Sequence, residues 1–177
     1  MRRFTILLLV VVVTLLGFGG TWGMRTLAQD ATPGASPAAG PVGVSAMLLG
    51  IGQPTVAPGH ELSLRRVTIE PGGGIPAHTH PGALVIYLES GTWGYTTLGG
   101  VARLTRAAVA GTPSPAEDMP VGTEIVLNAG DVLFVEDPAD DIRNTGDDPV
   151  VLLIAGLTRS GEPFTTVMTE MDGTPTP

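Results

Sequence analysis

A chain of 177 residues, 43% apolar with 25 glycines, has the size and composition of one globular domain with short extensions. It contains no cysteine, which excludes disulfides, thiolate ligands, a cysteine nucleophile and an acylated-cysteine anchor, so any metal must be held by nitrogen and oxygen. Lysine is also absent, and after Arg25 six arginines stand against 17 acidic residues; such a surface repels nucleic acid and anionic lipid, and neither DNA nor RNA is expected as a partner.

Residues 1–28 read as an address. Arg2 and Arg3 precede an apolar run over 4–18, and Thr26, Leu27 and Ala28 put small side chains where a signal peptidase would cut. The segment is a signal peptide or, if uncleaved, a membrane anchor, since about 20 apolar residues span a bilayer. Either way the domain is expected outside the cytoplasmic membrane, extracellular or in the cell envelope, touching membrane only through this segment. Residues 29–43, rich in Pro, Ala and Gly, read as a solvated linker, and 171–177 as a disordered tail.

Between these ends, short β-branched and apolar runs are punctuated by Gly, Pro and Asp, and no helical period is sustained. Strands are expected at 44–49, 61–70, 83–89, 92–98, 101–106, 124–127, 132–136, 141–144, 150–157 and 163–168, with tight turns at 89–91 and 98–100. The pattern predicts an all-β domain over 44–170, a double-sheet jelly-roll barrel. Residues 107–122, with prolines at 113, 115 and 120, interrupt the rhythm as a rim loop over the barrel mouth or a solvated insertion. The run 136–141 (EDPADD) carries four acids in six residues and reads as an exposed turn or an oxygen-rich metal site.

Site chemistry concentrates in 71–91. His78 and His80, two apart, share a strand face and converge on one point. Of the adjacent Arg65 and Arg66, one should face inward, where its fork could clamp a ligand carboxylate; the alternative is an ion pair at the rim. Trp93 and Tyr95 share a face, as core packing, an aromatic wall or a dimer surface. His60, beside the Pro58-Gly59 turn, is expected to be exposed. No serine-histidine-acid order, phosphate loop or nucleotide fingerprint is present.

From about 44 to 168 the sequence resembles the cupin superfamily, whose fold is the double-stranded β-helix. That family's first motif reads glycine, five residues, histidine, one residue, histidine, three or four residues, glutamate, six residues, glycine. Gly72, His78, His80 and Gly91 fall on this spacing, while the glutamate position holds Leu84, or Val85 in the longer variant. The second motif is recognisable at Gly130-Asp131 and at Asn144-Thr145-Gly146; its histidine position falls on Asp141 counting forward from Gly130 and on Asp140 counting back from Asn144.

The resemblance implies a pocket in the barrel, lined by Leu84 and by Arg65 or Arg66. It also implies a metal set reduced to His78, His80 and either Asp140 or Asp141. Two imidazoles and a carboxylate can hold one divalent ion (Fe, Mn, Ni or Zn) with open positions. Two functions are expected from this: binding or sensing of a small polar molecule without turnover, in a metal-free pocket where His78 and His80 only hydrogen-bond, or a metal-dependent enzyme of dioxygenase or isomerase type. A homodimer is expected from the resemblance alone.

Overall fold

The computed structural model describes residues 40–112 and 114–169. The expected signal segment, most of the linker and the tail lie outside them. The described residues form nine strands: β1 (Val42–Gly52), β2 (His60–Thr79), β3 (Gly82–Ser90), β4 (Thr92–Thr105), β5 (Ala116–Asp118), β6 (Glu124–Asn128), β7 (Val132–Asn144), β8 (Val150–Arg159) and β9 (Thr166–Val167). Among the described residues, no helix is long and apolar enough to cross a membrane.

All strand pairings are antiparallel, in the order β1-β2-β8-β3-β7-β4-β5, with β6 on β4 and β9 on β2. A further pairing of β2 with β7 closes the barrel. Closure depends on strands long enough to serve both layers. The first part of β2 pairs with β1 and β8, its last part with β7. β7 likewise pairs with β3 over Val132 to Glu136 and with β2 from Ala139 onward.

The corners are where the sequence-based expectation needs correction. The 98–100 segment is a pair of register shifts inside β4 rather than a turn, so the two strands expected there are one. Gly100 sits at φ +79 against Asp137, itself at φ 39, and a Cβ there would lie 2.7 Å from the Glu136 carbonyl oxygen. A bulge at this position bends both strands without breaking the ladder. The glycines at 72–74 do the same for β2: a Cβ on Gly73 would lie 2.7 Å from the Val42 oxygen.

The acidic run 136–141 is therefore strand, not an exposed turn, and its carboxylates are spread over different faces. Asp137 is exposed and paired with Arg159, while Asp140 is buried. Residues 107–122 contain the short edge strand β5, paired to β4.

Inward residues alternate along each strand as antiparallel sheets require. Leu84, Ile86 and Leu88 of β3 meet Val150, Leu152 and Ile154 of β8, Val67 and Ile69 of β2, and Leu133 and Val135 of β7 in one core. Trp93 and Tyr95 belong to that core, in an edge-to-face pair with centroids 5.3 Å apart.

Candidate metal centre and cavity

His78 lies at the end of β2 and His80 just beyond it, past a shift in the strand's register with β7. Ile75 pairs with Ile142 and His78 with Asp140, so β2 carries one extra residue there. That bulge turns His78 inward and leaves the Pro76 carbonyl 2.9 Å from its Nδ1. His80 Nδ1 is 2.5 Å from the Phe164 carbonyl, delivered by the segment leading into β9. Both Nδ1 atoms thus donate to backbone oxygens, which leaves Nε2 as the nitrogen of each ring for another partner; for His78 that partner is Asp140.

Asp140 enters from β7. Its Oδ1 lies 2.9 Å from His78 Nε2, and its Oδ2 accepts from the Tyr95 hydroxyl at 3.0 Å. His78, His80 and Asp140 each offer a ligand atom within 4.8 Å of the others, and the imidazole centroids are 5.0 Å apart. All three side chains are buried.

Charge distributes unevenly over this group. Burial pushes the His78 pKa down, but the hydrogen bond and charge of Asp140 outweigh it and leave it above the usual 6.5. His80 stays below 6.5, because burial exceeds the pull of Asp140 and Phe164, and the charges of His78 and Arg65 act in the same direction as burial. Tyr95 is raised, by burial first and then by Asp140, so its hydroxyl remains a donor. Asp141 is raised, mainly by burial.

The sequence left Asp140 and Asp141 open; the structure puts Asp140 beside the histidines, while Asp141 sits on the other face of β7, opposite Thr96 of β4. Counting from Asn144 finds it because Asn144 is itself fixed, donating to the Ile69 and Asp148 carbonyls and accepting from Gly146 N–H. Counting from Gly130 runs across the Asp137 corner and misses by one.

Arg65 faces inward and lines the cavity beside the triad. Arg66 faces outward and pairs with Glu89 at 3.1 Å, so its expected pocket role is corrected: side chains alternate on β2, and this one points to solvent. Leu84 is buried but is not among the cavity-lining residues. It lies over Gly156 next to Phe164, where a Cβ on Gly156 would meet both side chains. His60 bonds the Pro58 carbonyl at the far turn and takes no part.

The cavity, of about 280 Å³, is lined by the triad, Arg65, Tyr95 and Trp93, and otherwise almost wholly by apolar side chains. Tyr95 as the clamp of Asp140, and Phe164 as a wall, were not legible as site residues. The only signal for Tyr95 was its shared face with Trp93; for Phe164 there was none, since its placement depends on a segment 84 residues from His80. None of the described residues in 107–122 lines the cavity.

No protein-family model matches the chain, and no curated protein does. Among solved structures it is similar to the oxalate decarboxylase of Lactobacillus farciminis, at 21% identity and a TM-score of 0.40 over 60% of this chain and 26% of that one. It therefore spans about a quarter of that enzyme. A cupin-like protein from Thermotoga maritima is similar at 15% identity and a TM-score of 0.40, covering 71% and 75% of the two chains. The DMSP lyase DddQ from Ruegeria pomeroyi is similar at 18% identity and a TM-score of 0.39, covering 70% and 51%. At these identities the likeness concerns the fold alone. With its antiparallel strands closed into a barrel, and with Gly72, His78, His80, Gly91 and Asn144 where the two motifs require them, the chain has the fold of the cupin superfamily.

Proposed function

We propose that this is an exported cupin whose barrel binds a small molecule beside a divalent metal ion held by His78, His80 and Asp140. One observation carries the metal: both imidazoles have Nδ1 tied to backbone carbonyls, at Pro76 and Phe164, which leaves their Nε2 atoms to bind an ion together with the Asp140 carboxylate held by Tyr95, an ion that would take the place of the proton between His78 and Asp140. Second-shell hydrogen bonds of this kind orient metal-binding histidines and carboxylates. The nitrogen and oxygen donors suit Fe, Mn, Ni or Zn. Such an ion would supply Lewis-acid chemistry to an oxygen of the bound molecule.

Binding leads over dioxygenase or isomerase turnover for a reason visible in the lining. Its titratable side chains are Arg65, His78, His80, Tyr95 and Asp140, and all but the arginine are engaged with one another or with backbone. Among the described residues, no further carboxylate or imidazole lines the cavity to act as an independent general base.

The test is metal content of the purified full chain after incubation with each of the four ions and dialysis. A single ion per chain, lost in His78→Ala/His80→Ala with the far-ultraviolet spectrum unchanged, is the expected result. Failure of the wild type to retain any of the four would sink the metal reading. Export rests on the composition of residues 1–28; finding the chain in the cytoplasmic fraction of its host would overturn it.

The reading includes a homodimer through the outer face of β2, β8 and β3. Across those strands Leu64, Ala155 and Val85 stand in register, as do Leu62, Leu157 and Ala83. The strand β8 is apolar on both faces, the pattern of a strand covered on both sides. A two-fold axis would set this patch against its own copy. Sedimentation equilibrium giving a monomer at tens of micromolar would refute it.

A further inference from the structure

Four buried side-chain polar atoms have no hydrogen-bond partner among the described residues, and two of them, Arg65 Nε and Trp93 Nε1, belong to side chains lining the cavity. Trp93 is only 1% exposed. Donors withdrawn from water without an acceptor are costly, so two in one cavity call for an acceptor that arrives from outside.

Arg65 stands apart from its kind. Of the arginines in the described residues, Arg66, Arg103, Arg106, Arg143 and Arg159 all form ion pairs, with Glu89, Asp118, Asp131, Glu124, and Asp137 and Glu162. Arg65 forms none with any described residue, in a chain rich in carboxylates. Its neighbours in register on β1 and β8 are Leu48 and Ile154. Its guanidinium carbon lies 4.2 Å from the centroid of Phe164, so the aromatic ring supports the planar fork without satisfying its N–H groups.

The rest of the cavity fixes the remainder of the ligand. Val67, Ile86, Leu152 and Ile154 give an apolar surround, and 280 Å³ corresponds to about nine water volumes. We propose that the cavity takes a small carboxylic acid with an apolar body, its carboxylate on the Arg65 fork and its body among these side chains. The flat two-oxygen group matches a single guanidinium. A phosphate would leave oxygens without donors in so apolar a site. Trp93 Nε1 is available to a second acceptor on the ligand.

This assignment deepens the metal-site reading and rests on it in one respect: Asp140 opposes an anion until a cation neutralises it. Carboxylate affinity is therefore expected to rise when the metal is loaded.

Benzoate, hexanoate and cyclohexanecarboxylate suit the cavity in size, and benzamide is the uncharged counterpart of the first. Titration calorimetry on the full chain, metal-free and metal-loaded, should show benzoate binding about tenfold or more tighter than benzamide. Arg65→Met, which keeps an apolar stem, should abolish the discrimination, and Arg65→Lys should restore part of it. Trp93→Phe should weaken a carboxylate bearing a second acceptor, such as 4-hydroxybenzoate, more than benzoate itself. The proposal is overturned if wild type binds no carboxylate of the panel tighter than benzamide, a comparison that needs no variant to fold. It is equally overturned if Arg65→Met discriminates as wild type does. The two readings fail separately: retained metal with no discrimination removes the acid site alone, and Arg65-dependent discrimination in a chain that retains no ion removes the metal alone.

Discussion

The two faces of the sheet formed by β2, β8 and β3 are both apolar, yet they carry polar groups in opposite ways. On the outer face Val85 and Tyr87 are more than 40% exposed, and the charges stand as ion pairs such as Arg66 with Glu89. On the inner face Leu84, Ile86 and Leu88 are buried, and the polar groups are embedded: Arg65 among them, with His78, His80 and Asp140 across the barrel. An apolar core gains nothing in stability from an unpaired arginine, which is the ground for the proposed ligand inside, as the exposed apolar groups are for the proposed dimer outside.

The sharpest way to break this comparison is a pair of adjacent substitutions on β3. Ile86→Asp buries an unpaired charge and should cost about 4 kcal/mol or more, enough to abolish a cooperative unfolding transition. Val85→Asp, one residue away, should leave the fold of the protomer intact and dissociate the proposed dimer. Denaturant unfolding read with sedimentation checks both.

On the inner face, Asp140→Asn should lower divalent-ion affinity by about 100-fold, whereas Asp141→Asn should change it little; competition against a chromogenic chelator measures both.

The two histidines sharpen the comparison through pH. His78, raised above 6.5, contributes stability that is full below that value and is lost as pH rises through its folded pKa. His80, lowered, contributes stability present above 6.5 and lost as pH falls through its folded pKa. With respect to these two groups the metal-free chain should therefore be most stable near 6.5 and lose stability on each side. His78→Gln should flatten the alkaline limb and His80→Gln the limb just below 6.5, in chemical denaturation across pH 5 to 8.

The smallest effect belongs to the outer face: Arg66→Ala removes a solvent-exposed pair and should cost about 0.5 kcal/mol or less in the same assay.

The sequence made legible what depends on neighbours along one strand. The spacing of His78 and His80, the alternation of β3, and the inward turn of one of Arg65 and Arg66 all follow from a period of two. What it concealed depends on strands changing layers. Glycines at 99 and 100 read as a turn, and the acids at 136–141 as an exposed turn or an oxygen-rich metal site, because a bulge and a turn use the same residues. Only the close approach of Gly100 shows that Asp137 bends a continuous strand and that Asp140 follows on its inner face. Leu84 read as a pocket residue because it occupies the glutamate position. Phe164, from the far end of the domain, shares its place over Gly156.

Phe164 touches both halves of the site at once. Its carbonyl accepts from His80, and its ring lies under Arg65. A molecule that shifts this residue to reach the guanidinium also moves the group that orients a metal-binding nitrogen. Occupancy of one position then changes affinity at the other, and thermodynamic reciprocity makes the factor equal in both directions.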